Sequence, residues 1–259
     1  MLIPKRNTLQ RRHAILALLN EKGEVSVEAL AKQFGTSEVT IRKDLGTLEQ
    51  NGLLLRRYGG AVPLPRELLT DSQPASSPYK QAIARAAVGL LREHARVIID
   101  SGSTTAAMIA HLGYKPGLVV MTNSLHVANA LQELEHEPAL LMTGGTWDPT
   151  SESFQGQVAE QVLRSYDFDQ LFIGADGIDL ERGTTTFNEL LGLSRVMAEV
   201  AREVIVMVES DKVGRRIPNL ELPWKDIHTL ITDERLDEKA RQQIKAHGVK
   251  LLCVAPDTE

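Results

Sequence analysis

The stretch "VIIDSGSTTAAMIA", residues 97–110, decides the fold of most of the chain. Three apolar residues lead into Asp100 and a turn of small residues, Ser101, Gly102 and Ser103, after which the spacing predicts a helix. This is the signature of a parallel β-strand, its carboxyl-end loop and the helix that follows. A glycine in such a turn lets backbone amides converge on one point. The hydroxyls of Ser101, Ser103, Thr104 and Thr105 add hydrogen bonds, and the helix that follows aims its positive end at the same place. The expectation is a cradle for a phosphate.

Downstream the pattern repeats. "LVVMTNS" (118–124), "ALLMTGG" (139–145), "DQLFIGADGI" (169–178), "REVIVMVES" (202–210), "HTLITDE" (228–234) and "VKLLCVA" (249–255) are apolar runs, separated by helical patterns or loops. Runs apolar on both faces predict an α/β domain whose parallel sheet is covered on both sides. In such sheets ligands bind beyond the carboxyl ends of the strands. The polar and glycine residues collect there: Asp100 to Thr105, Thr122, Asn123 and Ser124, then Gly144 and Gly145 after Thr143, and the "GADGID" loop at 174–179 with Asp176 and Asp179.

Upstream, "PLPRELLTDSQPASSP" (63–78) carries four prolines and no sustained apolar period, which predicts an interdomain linker over 63–77. Pro78 then opens a helix with Ser77 as its cap. The domain plan is a head at 1–62, the linker, and a body at 78–259.

The head reads as three helices. The first runs from Thr8 to a stop at Gly23, with Ile15, Leu18 and Leu19 on one face and Arg11 and Arg12 elsewhere. The second begins at Ser26, a good N-cap, and closes at Gly35. The third is capped by Thr36 or Ser37, buries Val39, Ile41, Leu45 and Leu48, and turns Ser37, Glu38, Thr40, Arg42 and Lys43 outward. A short turn between the second and third helices is the helix-turn-helix layout, whose second helix enters the major groove. "LLLRRYGGAVP" adds two short strands around Gly59 and Gly60, a wing carrying Arg56, Arg57 and Tyr58. The charge is divided to match: residues 1–62 hold 10 Lys+Arg against 6 Asp+Glu, giving +4, and residues 63–259 hold 19 against 28, giving −9. A basic head on an acidic body suits one module docked on DNA and another kept away from it.

Composition excludes several classes. No apolar run approaches the ~18 residues of a transmembrane helix, and the start of the chain has no signal-peptide layout, so a cytoplasmic protein without membrane contact is expected. The single Cys253 forms no internal disulfide, and no Cys/His cluster has zinc-site spacing. Neither metal nor cofactor is expected. The seven histidines lack triad or ligand spacing, and His126 and His228 read as ordinary polar side chains.

Arg11, Ile15, Leu19, Ser37 and Thr40, with "IRKDL" at 41–45, resemble the helix-turn-helix signature of the DeoR family of bacterial sugar-metabolism repressors. "RRYGGA" at 56–61 resembles that family's wing. The resemblance extends to the C-terminus. It implies that Ser37, Thr40, Arg42 and Lys43 lie at the DNA surface, with the wing on the adjacent backbone or minor groove. The body is similar to the ribose-phosphate isomerase and glucosamine-phosphate deaminase fold, with "DSGSTT" at the phosphate-loop position. Asn188 and Glu189 in "GTTTFNELLG" and Lys212 in "VESDKVGRR" match family positions near the sugar pocket. Among the branches, "MTNSLHVANAL" and "GIDLERGTTTFNE" look most like regulators of amino sugars and sugar alcohols, GlmR-like regulators of glucosamine-6-phosphate synthase genes included.

Two readings follow. An isomerase or deaminase with a fused head would use Asp176, Asp179 or Glu189 as its base. Against it stand the operator-reading head and an acidic loop that has Gly177 and Ile178 after Asp176, where the isomerases carry Asp-Gly-Ala-Asp-Glu. The favoured expectation is a non-catalytic repressor with two partners, operator DNA and a phosphorylated sugar. It is expected to form a homo-oligomer, because one recognition helix reads too few base pairs for operator specificity.

Overall fold

The computed structural model of the chain describes residues 8–50, 54–57, 59–62, 77–149, 151–186, 191–215, 217 and 219–257. The chain divides into two compact units, Met1–Pro74 and Ala75–Glu259. Residues 63–76 of the expected linker, together with Tyr58, Asn188 and Glu189, lie outside the described residues, as does the side chain of Arg57.

In the first unit α1 (Thr8–Lys22), α2 (Val27–Phe34) and α3 (Glu38–Gln50) follow one another. The Ser26 hydroxyl caps α2 by accepting from the Ala29 amide at 3.1 Å. Gly35 ends that helix at φ 58°, a left-handed conformation in which any Cβ would be strained. Ser37 caps α3, accepting from the Thr40 amide at 3.2 Å. Ile15, Leu19, Leu30, Ile41, Leu45, Leu48 and Leu54 pack into one core. The wing has one strand more than expected. Besides the hairpin of β2 (Leu55–Arg57) and β3 (Gly60–Val62), a short β1 (Val25–Ser26) pairs antiparallel with β3, Val25 opposite Ala61. Gly60 permits this approach, since a Cβ there would stand 2.2 Å from the Val25 carbonyl oxygen.

Two expectations for the head are corrected. Val39, expected in the core, is 73% exposed. It precedes Ile41 by two residues, about 200° around the helix, so burying Ile41 turns Val39 outward. Arg11, expected away from the apolar face, is buried one turn before Ile15. Its Nε donates to Asp44 Oδ2 at 2.6 Å, Arg12 Nε reaches Asp44 Oδ1 at 3.0 Å, and Arg12 Nη2 reaches Thr47 Oγ1 at 3.2 Å. One buried carboxylate thus clamps α1 to α3 and fixes how α3 is presented.

In the second unit α4 (Pro78–Leu90) leads into a seven-stranded sheet of β4 (Arg96–Ile99), β5 (Val119–Thr122), β6 (Ala139–Met142), β9 (Phe168–Ile173), β12 (Ala201–Met207), β14 (Thr229–Asp233) and β15 (Lys250–Val254). The order is β15-β14-β12-β9-β4-β5-β6, and every neighbouring pair is parallel. Side chains alternate between two cores, which explains the continuous apolar runs. Ile98, Leu171, Ile173, Val204 and Val206 face one core with α7 (Gln157–Arg164), α8 (Gly192–Glu199) and α9 (Glu238–Ala246). Val97, Ile99, Phe172, Ile205 and Met207 face the other, with α4 and α6 (Leu125–Gln132). Cys253 on β15 is half-buried against the first core.

The strand order creates a switch point. From β4 the chain winds outward through β5 and β6, returns to the other side of β4 as β9, then winds outward through β12, β14 and β15. The loops after β4 and β9 leave towards opposite faces of the sheet, the arrangement at which ligands bind beyond the carboxyl ends of such sheets. A hairpin of β7 (Thr146–Asp148) and β8 (Ser153–Gln155) follows β6. "DQLFIGADGI" is not one strand but breaks at Gly174–Asp176. Beyond the break, β10 (Gly177–Asp179), β11 (Gly183–Thr186) and β13 (Asn219–Pro223) form a separate antiparallel sheet in the order β10-β11-β13. Among the described residues no helix is long and apolar enough to cross a membrane.

Candidate functional site

The loop after β4 is built as a cradle, by means partly different from those expected. Gly102 sits at φ 132°, out of reach of other residues without strain. The Thr105 hydroxyl is shared between the carbonyl oxygens of Asp100 at 2.8 Å and Gly102 at 2.9 Å, so this fully buried side chain holds the loop from within. Thr104 is buried beside it, while Ser101 and Ser103 stay nearer the surface. The helix after Gly102, α5, is a single turn, Ser103–Ala106, and too short to supply much macrodipole. The positive charge comes from Lys80, which the sequence reading missed. Lys80 lies in the first turn of α4, is 2% exposed, and its Nζ donates to Ser103 Oγ at 3.0 Å.

Asn123 joins this loop from the end of β5. Its Oδ1 accepts from the Ser101 amide at 3.1 Å, which fixes the orientation of the side-chain amide. Its Nδ2 is buried and has no hydrogen-bond partner, a costly state for a donor unless something else occupies it. Thr122 and Ser124 are occupied with the turn: Thr122 Oγ1 accepts from the Ser124 amide at 3.1 Å, and Ser124 Oγ from the Val127 amide at 3.3 Å, capping α6. Gly145 serves packing, since a Cβ there would meet the Gln155 carbonyl oxygen at 2.5 Å. With Gly144 it lies past β6, the edge strand.

From the opposite side of the switch point comes Asp176, whose Oδ2 accepts from Thr186 Oγ1 at 2.6 Å. Asp179, expected beside it, closes the β10–β11 turn instead. It accepts from the amides of Glu181 at 2.9 Å and Arg182 at 3.2 Å, and from Arg182 Nε at 2.8 Å. Burial alone would raise its carboxyl, but the Arg182 and Glu181 bonds outweigh that and hold it below the ordinary range. Lys212, half-buried, lies past β12 in a short 3-10 turn, two strands from β4.

Two carboxyls, the half-buried Asp100 and the buried Glu221, give the site its electrostatics. Burial pushes Asp100 up to about 6 against the hydrogen bonds of Ser101, and the charge of Asp176 adds to the rise. Glu221 on β13, also missed by the sequence reading, is 8% exposed. Burial, joined by the charges of Asp100 and Asp176, raises it to about 7 despite a hydrogen bond from Ser194. Its Oε2 accepts from Thr184 Oγ1 at 3.2 Å. Among the described residues no three His, Cys, Asp or Glu side chains converge as metal ligands.

A second network anchors the start of α4, and with it Lys80. Ser77 Oγ donates to Glu209 Oε1 at 2.7 Å. Asp233 accepts from the Ser210 amide and hydroxyl and from Arg235 Nε at 2.7, 2.8 and 2.7 Å; its burial is outweighed by these bonds, which hold it at about 2. The Arg235 guanidinium in turn stacks 3.7 Å over the Tyr79 ring. His228 is structural, Nδ1 accepting from the Val204 amide at 3.1 Å.

On the head, α3 turns Ser37, Arg42 and Lys43 to solvent, with Thr40 half-exposed and its hydroxyl 2.9 Å from that of Ser37. Arg42 Nη2 pairs with Glu38 Oε2 at 2.6 Å, and Arg56 Nε with Glu49 Oε2 at 3.2 Å. Both pairs are exposed, so exchanging the glutamate for a phosphate or base edge costs little.

Comparison with known proteins agrees with this architecture. Residues 11–66 match the DeoR-like helix-turn-helix domain and residues 76–234 the DeoR C terminal sensor domain. The chain is 39% identical over 254 residues to the "Putative aga operon transcriptional repressor" of Escherichia coli O157:H7, covering 95% of this chain and 94% of the relative. It is 33% identical over 248 residues to the HTH-type transcriptional regulator GlpR of Haloferax volcanii, covering 94% and 96%. Among solved structures, ribose 5-phosphate isomerase A of Methanocaldococcus jannaschii is similar over 53% of this chain and 54% of that one, with 19% identity and a TM-score of 0.39, a likeness too slight to bear on ligand or reaction. The chain belongs to the DeoR family of transcriptional regulators, with a winged helix-turn-helix head and a parallel-sheet sensor domain.

Proposed function

We propose that this DeoR-family chain represses genes of sugar or amino-sugar metabolism in the cytoplasm, and that a phosphorylated sugar bound at the switch-point crevice sets its affinity for operator DNA. Residues 1–62 read DNA, 63–77 link, and 78–259 sense. Ser37, Thr40, Arg42 and Lys43 meet the major groove, with Arg56, Arg57 and Tyr58 of the wing on the adjacent backbone. Paired heads in a homo-oligomer supply the second half-site.

The observation that carries the sensing half is the buried Lys80 ammonium on Ser103 Oγ, in the loop whose Gly102 backbone can approach an anion. An ammonium held in a low-dielectric loop end favours a phosphate far more than a neutral group. Asp100, Asn123 and Asp176 then face the sugar, with Asn188, Glu189 and Lys212 completing the pocket. The name of the Escherichia coli relative, a repressor of an operon, supports repression as the output. Glucosamine 6-phosphate is the leading effector candidate, from the resemblance to amino-sugar regulators.

A thermal-shift screen of the full chain tests this reading. Hexose 6-phosphates should raise the melting temperature of the sensor unit and their unphosphorylated parents should not. Equal shifts from sugar and sugar phosphate, or none from either, would remove the phosphate from the proposal.

A further inference from the structure

The small antiparallel sheet beside the crevice has a chemical character that a phosphate site does not need. Thr184 and Thr186 are two apart on β11 and therefore share one face, their Cα atoms separated by about 7 Å. Thr186 Oγ1 donates to Asp176 and Thr184 Oγ1 to Glu221, so β11 presents one carboxyl from the β10 side and one from β13 on the same face. The charges bearing most on Glu221 are both negative, Asp100 and Asp176. Beside Asp100 stands the independent mark of a missing occupant: the Asn123 side chain, 1% exposed, Oδ1 bonded to the Ser101 amide and Nδ2 without a partner.

Resting on the reading of the crevice as a sugar-phosphate pocket, we propose that Glu221 is a specificity-determining residue: with Asp176 it forms an anionic wall that selects a ligand carrying a protonated amine. The ligand's phosphate goes to Lys80 and Ser103, its ammonium to the wall on β11, and a hydroxyl oxygen accepts from Asn123 Nδ2. A neutral hydroxyl in place of the ammonium brings no positive charge to the wall, and an N-acyl group offers one donor and no charge. Among the described residues no three His, Cys, Asp or Glu side chains are placed to hold a metal ion, and the wall answers an organic cation.

The test is calorimetric titration of the full-length chain at about pH 7.5 with glucosamine 6-phosphate and galactosamine 6-phosphate, each against its 2-hydroxy counterpart, with N-acetylglucosamine 6-phosphate and inorganic phosphate alongside. At least one free hexosamine phosphate should bind about tenfold or more tighter than its 2-hydroxy and N-acetyl counterparts, a gap of about 1.4 kcal/mol. Glu221→Gln keeps the shape and the Thr184 hydrogen bond; it should shrink the gap severalfold while leaving the response to inorganic phosphate in place. Asp176→Asn should act in the same direction. Equal binding of amino and 2-hydroxy sugar phosphates, or a full gap in both variants, overturns the role of Glu221 and leaves the phosphate pocket standing. Absence of binding by every sugar phosphate overturns the pocket and this inference together.

Discussion

Replacing Glu221 with glutamine should flatten the dependence of sensor stability on pH. In the folded chain, burial and the charges of Asp100 and Asp176 raise this carboxyl from 4.5 to about 7. Between those values the folded state keeps a proton that the unfolded state has released. The contribution is therefore fully present below pH 4.5 and is lost as pH rises through about 7. The interval from 4.5 to about 7 corresponds to about 3 kcal/mol of stability lost on the alkaline side. Glutamine never ionises and still accepts from Thr184, so the variant should escape this loss. For a unit of this size, about 2–4 °C per kcal/mol places its melting temperature roughly 6–12 °C above the parent at about pH 8.5 and close to it at about pH 4. Scanning calorimetry of both proteins across that range, following the sensor transition, is the assay. Parallel melting profiles would mean that Glu221 is hydrated and ionised at neutral pH, and the anionic wall on β11 would lose its buried carboxyl.

Other perturbations separate the two units. Asp44→Ala leaves the Arg11 guanidinium buried without its partner, which costs about 3–5 kcal/mol in a small module with little to spare; operator binding should vanish while the sensor transition stays in the calorimetric trace. Arg42→Ala should weaken operator binding by about 1–3 kcal/mol and relax its specificity, and Lys43→Ala should lower the salt slope by about one; unchanged titrations at several salt concentrations for both would take α3 off the DNA. Lys80→Met should abolish stabilisation by hexose 6-phosphates and leave DNA binding intact, and a variant that still responds would move the phosphate elsewhere. Glucosamine 6-phosphate and fructose 6-phosphate should come back unaltered after incubation; turnover above about 1 s⁻¹, seen as ammonia release or isomer exchange, would make the sensor an enzyme.

The seven strands of the parallel sheet and the longer helices of both units were legible because each carries an apolar run or stripe, whereas β1 and the small antiparallel sheet were not. The caps at Ser26 and Ser77 could be read from residue type and position, while that of α3 was narrowed only to Thr36 or Ser37. What was misread lies where a residue departs from its element's stripe. Val39 falls on the polar side of the stripe through Ile41 and Leu45, and helical phase alone would have put it outside. Arg11 precedes Ile15 by one turn and Asp44 adjoins Leu45; charges of opposite sign at core positions of two helices were a readable sign of a buried pair. Lys80 carried the same signal, three and four residues before Ile83 and Ala84. Glu221 carried none, because β13 has five residues, its partner β11 is Gly183 and three threonines, and their pairing crosses 33 or more residues of chain. The Asn123 donor left without a partner is equally invisible in sequence, since it depends on where Ser101 stands in space.

The central claim, that a phosphorylated sugar governs the head through the sensor, is tested most directly by operator binding. Fluorescence anisotropy of a labelled operator duplex, selected from a randomised pool on the full-length protein, would be followed with glucosamine 6-phosphate or glucosamine in the cell. Sugar phosphate should loosen binding roughly 5- to 150-fold, a coupling of about 1–3 kcal/mol, and glucosamine should have little effect. Identical operator affinity with and without every hexose 6-phosphate tried, or the same shift from glucosamine alone, would contradict the account.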